Sequence, residues 1–144
     1  MRGGASGLII PDMPLEEEPE EHFLESARRN GLYAIRVVSP ASTDERLRKN
    51  AEVAEGFVYC MARQGITGAR GEIDSNLVKY LKRVRRFFDV PLAVGFGISK
   101  REHVEALVGH ADVAVVGSAV IDAIGKARGE EEGARVRKFL RELG

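Results

Sequence analysis

The sequence predicts an α/β fold in which a parallel sheet is covered by helices, and three observations carry this prediction. Five short apolar runs are continuous rather than alternating in polarity, which is typical of strands buried on both faces. Each run is followed by a segment in which apolar residues recur at helical spacing. Strand and helix alternate along all 144 residues without a linker, a low-complexity tract or a repeat of solenoid length. We therefore expect one domain that spans residues 1–144.

The first half of the chain is predicted to hold three strands and two helices. The first strand, residues 7–10, stops at Pro11-Asp12-Met13-Pro14 because two prolines forbid its continuation, and Asp12 is left at its carboxyl end. A helix is predicted from about Pro19 to Asn30, with Gly31 closing it. The other elements are a strand over residues 33–38, a helix from the capping box Ser42 and Glu45 to about residue 54, and a strand over residues 57–61.

The second half opens on a polar, glycine-rich stretch, residues 62–71, which has no helical or strand period and predicts a mobile loop. Two strands are expected after it, at residues 92–94 and 113–116. Helices are expected over about residues 75–88, after the capping box Ser99 and Glu102, over about residues 119–124, and from about residue 130 onward.

The composition excludes several classes of partner and site. Lysine and arginine balance aspartate and glutamate at 22 each, so we expect neither nucleic acid nor an anionic membrane as a partner. No apolar run approaches the ~20 residues that span a bilayer. Residues 1–5 lack the apolar core of a secretory signal, which predicts a cytoplasmic protein.

The residues that usually bind metals or form disulfides are sparse. The single cysteine, Cys60, excludes a disulfide framework and is expected to pack in the core. His22, His103 and His110 fall on predicted helices, away from the strand ends where chemistry is expected. The sequence shows no ligand cluster for a metal, and we expect none.

Two glycine turns at strand ends predict a phosphate site. Gly95 and Gly97 follow one buried strand, and Gly117 and Ser118 follow the next. Ligands of parallel α/β proteins lie beyond the carboxyl ends of the strands, where glycine lets N–H groups approach an anion and a helix N-terminus adds positive charge. In eight-stranded barrels a phosphate often lies between two such loops at the start of a short extra helix, which residues 119–124 predict here. The alternative for either turn alone is a tight strand-to-helix connection.

Other features at the strand ends have two interpretations each. Residues 65–71 form either a lid that closes over a phosphorylated substrate or a plain surface connection. Asp12 is either an acid, base or hydrogen-bond acceptor, or a turn former between two prolines. Tyr59 either points into the pocket or packs in the core. Ser39, at the end of the second strand, completes the set of candidates.

Four blocks of sequence resemble the tryptophan synthase alpha subunit family, in its order and spacing. The blocks are Ile9-Ile10-Pro11-Asp12-Met13-Pro14, Gly56-Phe57-Val58-Tyr59 leading to Gly65-Ile66-Thr67-Gly68, Val94-Gly95-Phe96-Gly97-Ile98-Ser99, and Val116-Gly117-Ser118-Ala119. The resemblance covers essentially all 144 residues. It implies an incomplete (β/α)8 TIM barrel of about five βα units, the C-terminal portion of the family's barrel without its first three strands.

The resemblance implies a lyase of tryptophan biosynthesis, which cleaves indole-3-glycerol phosphate to indole and glyceraldehyde 3-phosphate without a metal or organic cofactor. A beta subunit, which carries pyridoxal phosphate, then receives the indole. Phosphate contacts are implied for Gly68, Gly97, Gly117 and Ser118. The closing loop is implied to contain Arg63, Gly65 and Thr67, with Tyr59 near the substrate and Asp12 in the region that faces the beta subunit and the indole end.

The resemblance also implies that the catalytic groups lie outside this sequence. The family supplies a glutamate and an aspartate from its second strand and the following loop, and this chain starts after both, so Thr67 has lost the aspartate it would meet. We expect the chain alone to be neither active nor a stable monomer, because five of eight barrel units expose two strand edges and an apolar interior. A misplaced gene start is the explanation we favour, ahead of a missing half from another chain or two copies closing on each other.

Two other functions stay open at this point. One is a non-catalytic phosphate-binding or regulatory half-barrel that still docks on a beta subunit. The other is a different phosphosugar barrel, which would share the paired phosphate turns.

Overall fold

Five parallel strands form one sheet whose spatial order follows the order of the chain. The computed structural model describes residues 3–62, 74–95, 97–125 and 131–144. Within these residues the strands are Gly7–Ile9 (β1), Tyr33–Val38 (β2), Val58–Met61 (β3), Leu92–Gly95 (β4) and Val113–Val115 (β5). A parallel sheet in sequential order, with helices between its strands, is the arrangement of consecutive units of a (β/α)8 barrel. The predicted fold class is confirmed.

Helices follow each strand, and those at Asp44–Glu52 and Ser75–Arg85 are shorter than the sequence predicts. They are Glu18–Glu21 (α1), Phe23–Arg29 (α2), Asp44–Glu52 (α3), Ser75–Arg85 (α4), Arg101–Glu105 (α5), Ser118–Gly125 (α6) and Glu131–Leu143 (α7), with a 3₁₀ turn at Leu15–Glu17. In the described ranges, none of these helices has both the length and the apolar character needed to cross a membrane.

The helix predicted from Pro19 to Asn30 is broken at His22. That residue has a φ of 49°, in the left-handed region, and separates α1 from α2. The carboxylate of Glu18 accepts hydrogen bonds from the N–H groups of Leu24 at 2.9 Å and Glu25 at 3.2 Å. These two donors have no partner inside a helix that starts at Phe23, so Glu18 caps α2 from six residues upstream.

Both predicted capping boxes are wrong in detail. The N-cap of α3 is Thr43, whose Oγ1 accepts from the Arg46 N–H at 3.2 Å, while the Ser42 hydroxyl accepts from the Ser39 N–H at 3.1 Å. The N-cap of α5 is Lys100 rather than Ser99, and its side chain makes no capping bond. At both places the helix begins one residue later than predicted, because adjacent residues offer two possible registers for the same turn.

The strands are staggered as those of a closed barrel are. The first three residues of β2 pair with β1, from Tyr33 opposite Gly7, and the last three pair with β3, from Arg36 opposite Val58. Such a shift between neighbours accompanies the tilt of barrel strands. Because β3, β4 and β5 are parallel neighbours, with Met61 opposite Gly95 and Gly95 opposite Val115, their carboxyl ends lie at one edge of the sheet.

The two faces of the sheet differ in burial. Side chains that point toward the helices form the core, and in the middle of the sheet Val58, Cys60, Leu92 and Val94 are fully buried. Side chains that alternate with the core residues point to the inner face. Ile35 and Ala93 are buried there, but four large side chains are about half exposed: Ile9 at 49%, Tyr33 at 53%, Met61 at 45% and Val113 at 45%. The core therefore lies between sheet and helices, and the inner face is open.

Candidate functional site

A pocket of about 350 Å³ lies at the carboxyl ends of β3, β4 and β5. Its lining residues are Tyr59, Ala62, Gly95, Gly97, Val115, Gly117 and Ser118. The strand register explains this convergence, because Met61 pairs with Gly95 and Gly95 pairs with Val115, so the loops that follow start side by side. The pocket brings together four residues that the sequence predicts to be near the substrate: Tyr59, Gly97, Gly117 and Ser118.

The wall after β5 is the N-terminus of α6. The N–H groups of Val120 and Ile121 turn back to the carbonyl of Gly117, at 2.9 and 3.4 Å. The N–H groups of Ser118 and Ala119 come before these two, at positions where the helix itself provides no carbonyl to accept their hydrogen bonds. A Cβ atom added at Gly117 would have no heavy atom within 4 Å, so the space in front of this turn is open. Donors at the positive end of a helix, next to open space, are suited to an anion.

The wall after β4 depends on Gly97. Its φ of 78° lies in the left-handed region, and a Cβ atom there would meet nothing within 4 Å. The next side chain, Ile98, is 1% exposed and anchors the turn in the core. The N–H of Ser99 donates to Nδ1 of His103 at 3.3 Å, so this donor serves the start of α5 rather than the pocket.

Tyr59 lies against Gly95 across the β3–β4 pair. A Cβ atom on Gly95 would be 2.9 Å from Cζ of Tyr59 and closer still to its hydroxyl oxygen, so the ring occupies the place of a side chain at position 95. Of the two interpretations of Tyr59, the structure places the ring at the pocket wall, half-buried, rather than in the core.

The described residues that line the pocket offer mainly hydrogen-bond donors. Among the described residues that line it there is no carboxylate and no histidine. Asp12 is exposed beyond the end of β1 and is separated from β4 by β2 and β3, so it does not join the pocket. Ser39 lines a smaller neighbouring pocket of about 180 Å³, together with Pro11 and Met61.

Several predicted site residues lie outside the described residues. These are Arg63, Gly65, Thr67 and Gly68, with the rest of the predicted lid. Their roles in phosphate binding and loop closure stay predictions.

A larger cleft, of about 550 Å³, lies in the helix layer between α6 and α7. The basic residues of its lining pair with carboxylates within α7, Lys138 with Glu142 at 3.9 Å and Arg135 with Glu131 at 4.0 Å. We place the site at the strand ends rather than here, because the smaller pocket lies at the carboxyl ends of parallel strands and is faced by the N-terminus of α6.

Two ionisable side chains, those of Cys60 and Arg36, are buried beside the sheet. Burial raises the pKa of the Cys60 thiol to about 12, which keeps it protonated and unreactive. Arg36 points from β2 into the helix layer and is 5% exposed, an arrangement that the sequence analysis missed. The signal for it in the sequence was a charged residue in the middle of an otherwise apolar strand.

In the described part of the chain, no group of three or more His, Cys, Asp or Glu side chains is placed to hold a metal ion.

Comparison with known proteins identifies the family. The profile of the tryptophan synthase alpha chain family matches residues 1–143. The tryptophan synthase alpha chain of Roseiflexus castenholzii is 46% identical over 140 residues, which are 97% of this chain and 53% of the relative. The alpha chain of Methanopyrus kandleri is 46% identical over 142 residues, 97% of this chain and 51% of the relative.

Solved structures agree with the sequence comparison. A structure of the tryptophan synthase α2β2 complex from Pyrococcus furiosus matches with a TM-score of 0.85 and 38% identity, over 97% of this chain and 56% of the matched chain. Tryptophan synthase from Mycobacterium tuberculosis matches with a TM-score of 0.78 and 29% identity, over 95% of this chain and 48% of the matched chain. The chain spans about half the length of the curated relatives it matches. By sequence and by fold, it belongs to the tryptophan synthase alpha chain family.

Proposed function

We propose that this chain supplies the phosphate-binding part of an alpha chain that cleaves indole-3-glycerol phosphate. The observation that carries the proposal is the pocket at the ends of β3 to β5, where the N-terminus of α6 faces open space beside Gly97 and Gly117. The phosphate group of the substrate would accept hydrogen bonds from the N–H groups of Ser118 and Ala119. Fixing the phosphate there holds the glycerol chain and the indole in one orientation relative to the inner face of the sheet.

The proposed reaction is a retro-aldol cleavage. The bond between indole C3 and the first glycerol carbon breaks, and its electron pair passes into the indole ring, where an acid protonates C3. A base removes the proton from the hydroxyl on that glycerol carbon, which becomes the aldehyde of glyceraldehyde 3-phosphate. The resemblance assigns these roles to two carboxylates on the second strand of the family barrel and its loop, a region that the residues described here do not cover. We propose that this chain contributes binding and orientation, and no organic cofactor.

We propose a tryptophan synthase beta chain as the protein partner, with pyridoxal phosphate held by that partner. The support is the family membership and the related Pyrococcus furiosus protein, whose structure is an α2β2 complex. The turn at residues 11–14 would form part of the docking surface, since Pro11 and Asp12 are exposed at the carboxyl end of β1.

The phosphate site is tested by placing a negative charge in it. Gly117 has open space in front of it, and its φ lies outside the left-handed region, so Gly117→Asp should fold and set a carboxylate beside the phosphate. We expect the affinity for glycerol 3-phosphate, measured by isothermal titration calorimetry, to fall at least about tenfold. Gly3→Asp is the matched control, because Gly3 also has no neighbour within 4 Å but is remote from the pocket, and its affinity should equal that of the unmodified chain. Equal binding by both variants would refute the site.

A second candidate function is a phosphate-binding module without catalysis, which also docks on a beta chain. It is favoured by one observation, that the described residues lining the pocket include no carboxylate. Release of indole from indole-3-glycerol phosphate separates the two candidates. The assay uses this chain joined to the first three strands of a related alpha chain, which bring the two carboxylates. Turnover by that protein supports the lyase, and binding without turnover supports the module.

A further inference from the structure

Arg36 is a buried charge that links three parts of the fold. It lies on β2, 5% exposed, and its Nε donates to Oδ1 of Asn50 on α3 at 2.8 Å. Asn50 is itself 3% exposed and donates from Nδ2 to the carbonyl of Arg46 at 2.8 Å, which fixes the amide. From this position Nη2 of Arg36 donates to the carbonyl of Met13 at 3.2 Å.

The contact with Met13 joins the strand interior to the turn at residues 11–14. Met13 is 23 residues away in sequence, so local geometry does not impose the contact. Burial lowers the pKa of Arg36, while the negative charge of Glu18 acts in the opposite direction, and an arginine stays protonated at any physiological pH. The turn is therefore held by a charge-assisted hydrogen bond, which is stronger than a bond between neutral groups.

Packing alone does not account for an arginine at this place. Its neighbours along the same face of β2, Ala34 and Val38, are buried apolar residues, and an apolar side chain would fill the space without the cost of desolvating a charge. What an apolar residue would not supply is a donor for the Met13 carbonyl and for the buried Oδ1 of Asn50. The arginine thus ties the turn to β2 and α3.

We propose that Arg36 is a positioning residue for the beta-chain interface, which orders the turn at residues 11–14 before the partner docks. The inference rests on the docking surface proposed above. A surface that is already ordered loses less conformational freedom on association and therefore binds more tightly.

The test compares Arg36→Met with Arg36→Lys and with Arg28→Met. Methionine keeps the unbranched stem and removes every donor, whereas lysine keeps a single charged donor. Arg28→Met is the matched control, since it makes the same change at an exposed arginine on α2 that pairs with Glu55 at 2.9 Å. Three quantities are measured for each full-length chain: amide hydrogen exchange of the peptide covering residues 10–17, affinity for the Pyrococcus furiosus tryptophan synthase beta chain, and affinity for glycerol 3-phosphate.

For Arg36→Met we expect exchange in residues 10–17 to accelerate about tenfold, as the loss of one charge-assisted bond implies, and beta-chain affinity to fall about five- to tenfold. Affinity for glycerol 3-phosphate should stay within about twofold, Arg36→Lys should recover part of both losses, and Arg28→Met should change none of the three quantities.

Three results would overturn the inference. One is unchanged exchange in residues 10–17, and another is a loosened turn with unchanged beta-chain affinity. The third is faster exchange throughout the chain with a parallel loss of phosphate affinity, which would mark a general structural role. If the unmodified chain fails to bind the beta chain, the docking proposal fails and this inference with it. Equal beta-chain binding by the unmodified and Arg36→Met chains overturns this inference alone.

Discussion

One methyl group at Gly95 is expected to push the Tyr59 ring out of the pocket wall. In the structure the new Cβ atom of Gly95→Ala would lie 2.9 Å from Cζ of Tyr59 and nearer to its hydroxyl, which is closer than carbon atoms approach in folded proteins. The backbone at position 95 is not in the left-handed region, so alanine is tolerated there apart from this contact. The whole effect of the substitution should therefore depend on Tyr59.

The magnitude follows from two opposing contributions. Overpacking typically costs about 1–3 kcal/mol. Replacing glycine by alanine lowers the entropy of the unfolded chain and returns about 0.4–1 kcal/mol. We expect Gly95→Ala to lower the free energy of unfolding by about 1–2 kcal/mol in the unmodified chain. In a Tyr59→Ala background the same change should be neutral or stabilising by up to about 1 kcal/mol.

The assay is a double-mutant cycle on Gly95→Ala and Tyr59→Ala. Urea unfolding is followed by circular dichroism at one fixed protein concentration, so that any self-association affects all four proteins alike. The expected coupling between the two positions is about 1–3 kcal/mol. If the two substitutions are additive within about 0.5 kcal/mol, Tyr59 does not occupy the space beside Gly95 and the assigned pocket wall is wrong.

Two further predictions concern buried and paired groups. Burial raises the pKa of Cys60 to about 12, so the thiol stays protonated in the native chain at pH 8. We expect a thiol reagent such as dithionitrobenzoate to label Cys60 only as fast as the chain unfolds. Rapid labelling of the native chain would contradict this. Asp112 accepts a hydrogen bond from Arg85 and another from the Leu92 N–H at 2.7 Å, and these bonds, that from Arg85 above all, lower the pKa of its carboxyl group. The ionised carboxylate therefore stabilises the folded chain at pH values above its unfolded-state pKa. This stabilisation is lost as the pH falls through the lower pKa of the folded state. Asp112→Asn should lower the free energy of unfolding at pH 7 by about 1 kcal/mol or less, because Arg85 and Asp112 are partly exposed. If the variant is less stable by the same amount at pH 2 to 3, the ionised carboxylate is not the source of the stabilisation.

The sequence by itself determined the class of the fold and the sheet edge where the pocket lies. Continuous apolar runs such as residues 92–94 are local signals of doubly buried strands, and the glycines that follow them are local signals of strand-to-helix turns. Because the carboxyl ends of parallel strands gather at one edge, placing Gly97 and Gly117 at strand ends was enough to bring them together. The exact start of a helix was beyond this reasoning, as Thr43 shows, since adjacent residues offered equally good caps.

Only the tertiary structure decided which side chains meet across elements. Glu18 caps α2 across a break at His22, Tyr59 lies where a side chain of Gly95 would be, and Arg36 reaches Met13 and Asn50 from the middle of β2. Each of these contacts depends on strand register and on how a helix packs on the sheet. Side-chain periodicity shows which face of a strand is buried, but it does not show which residues of two elements lie opposite each other. Residue types and their spacing are local properties that fix the elements and the sheet edge where they end. The partners of Tyr59 and Arg36 are set by packing between segments distant in sequence, which only the assembled fold specifies.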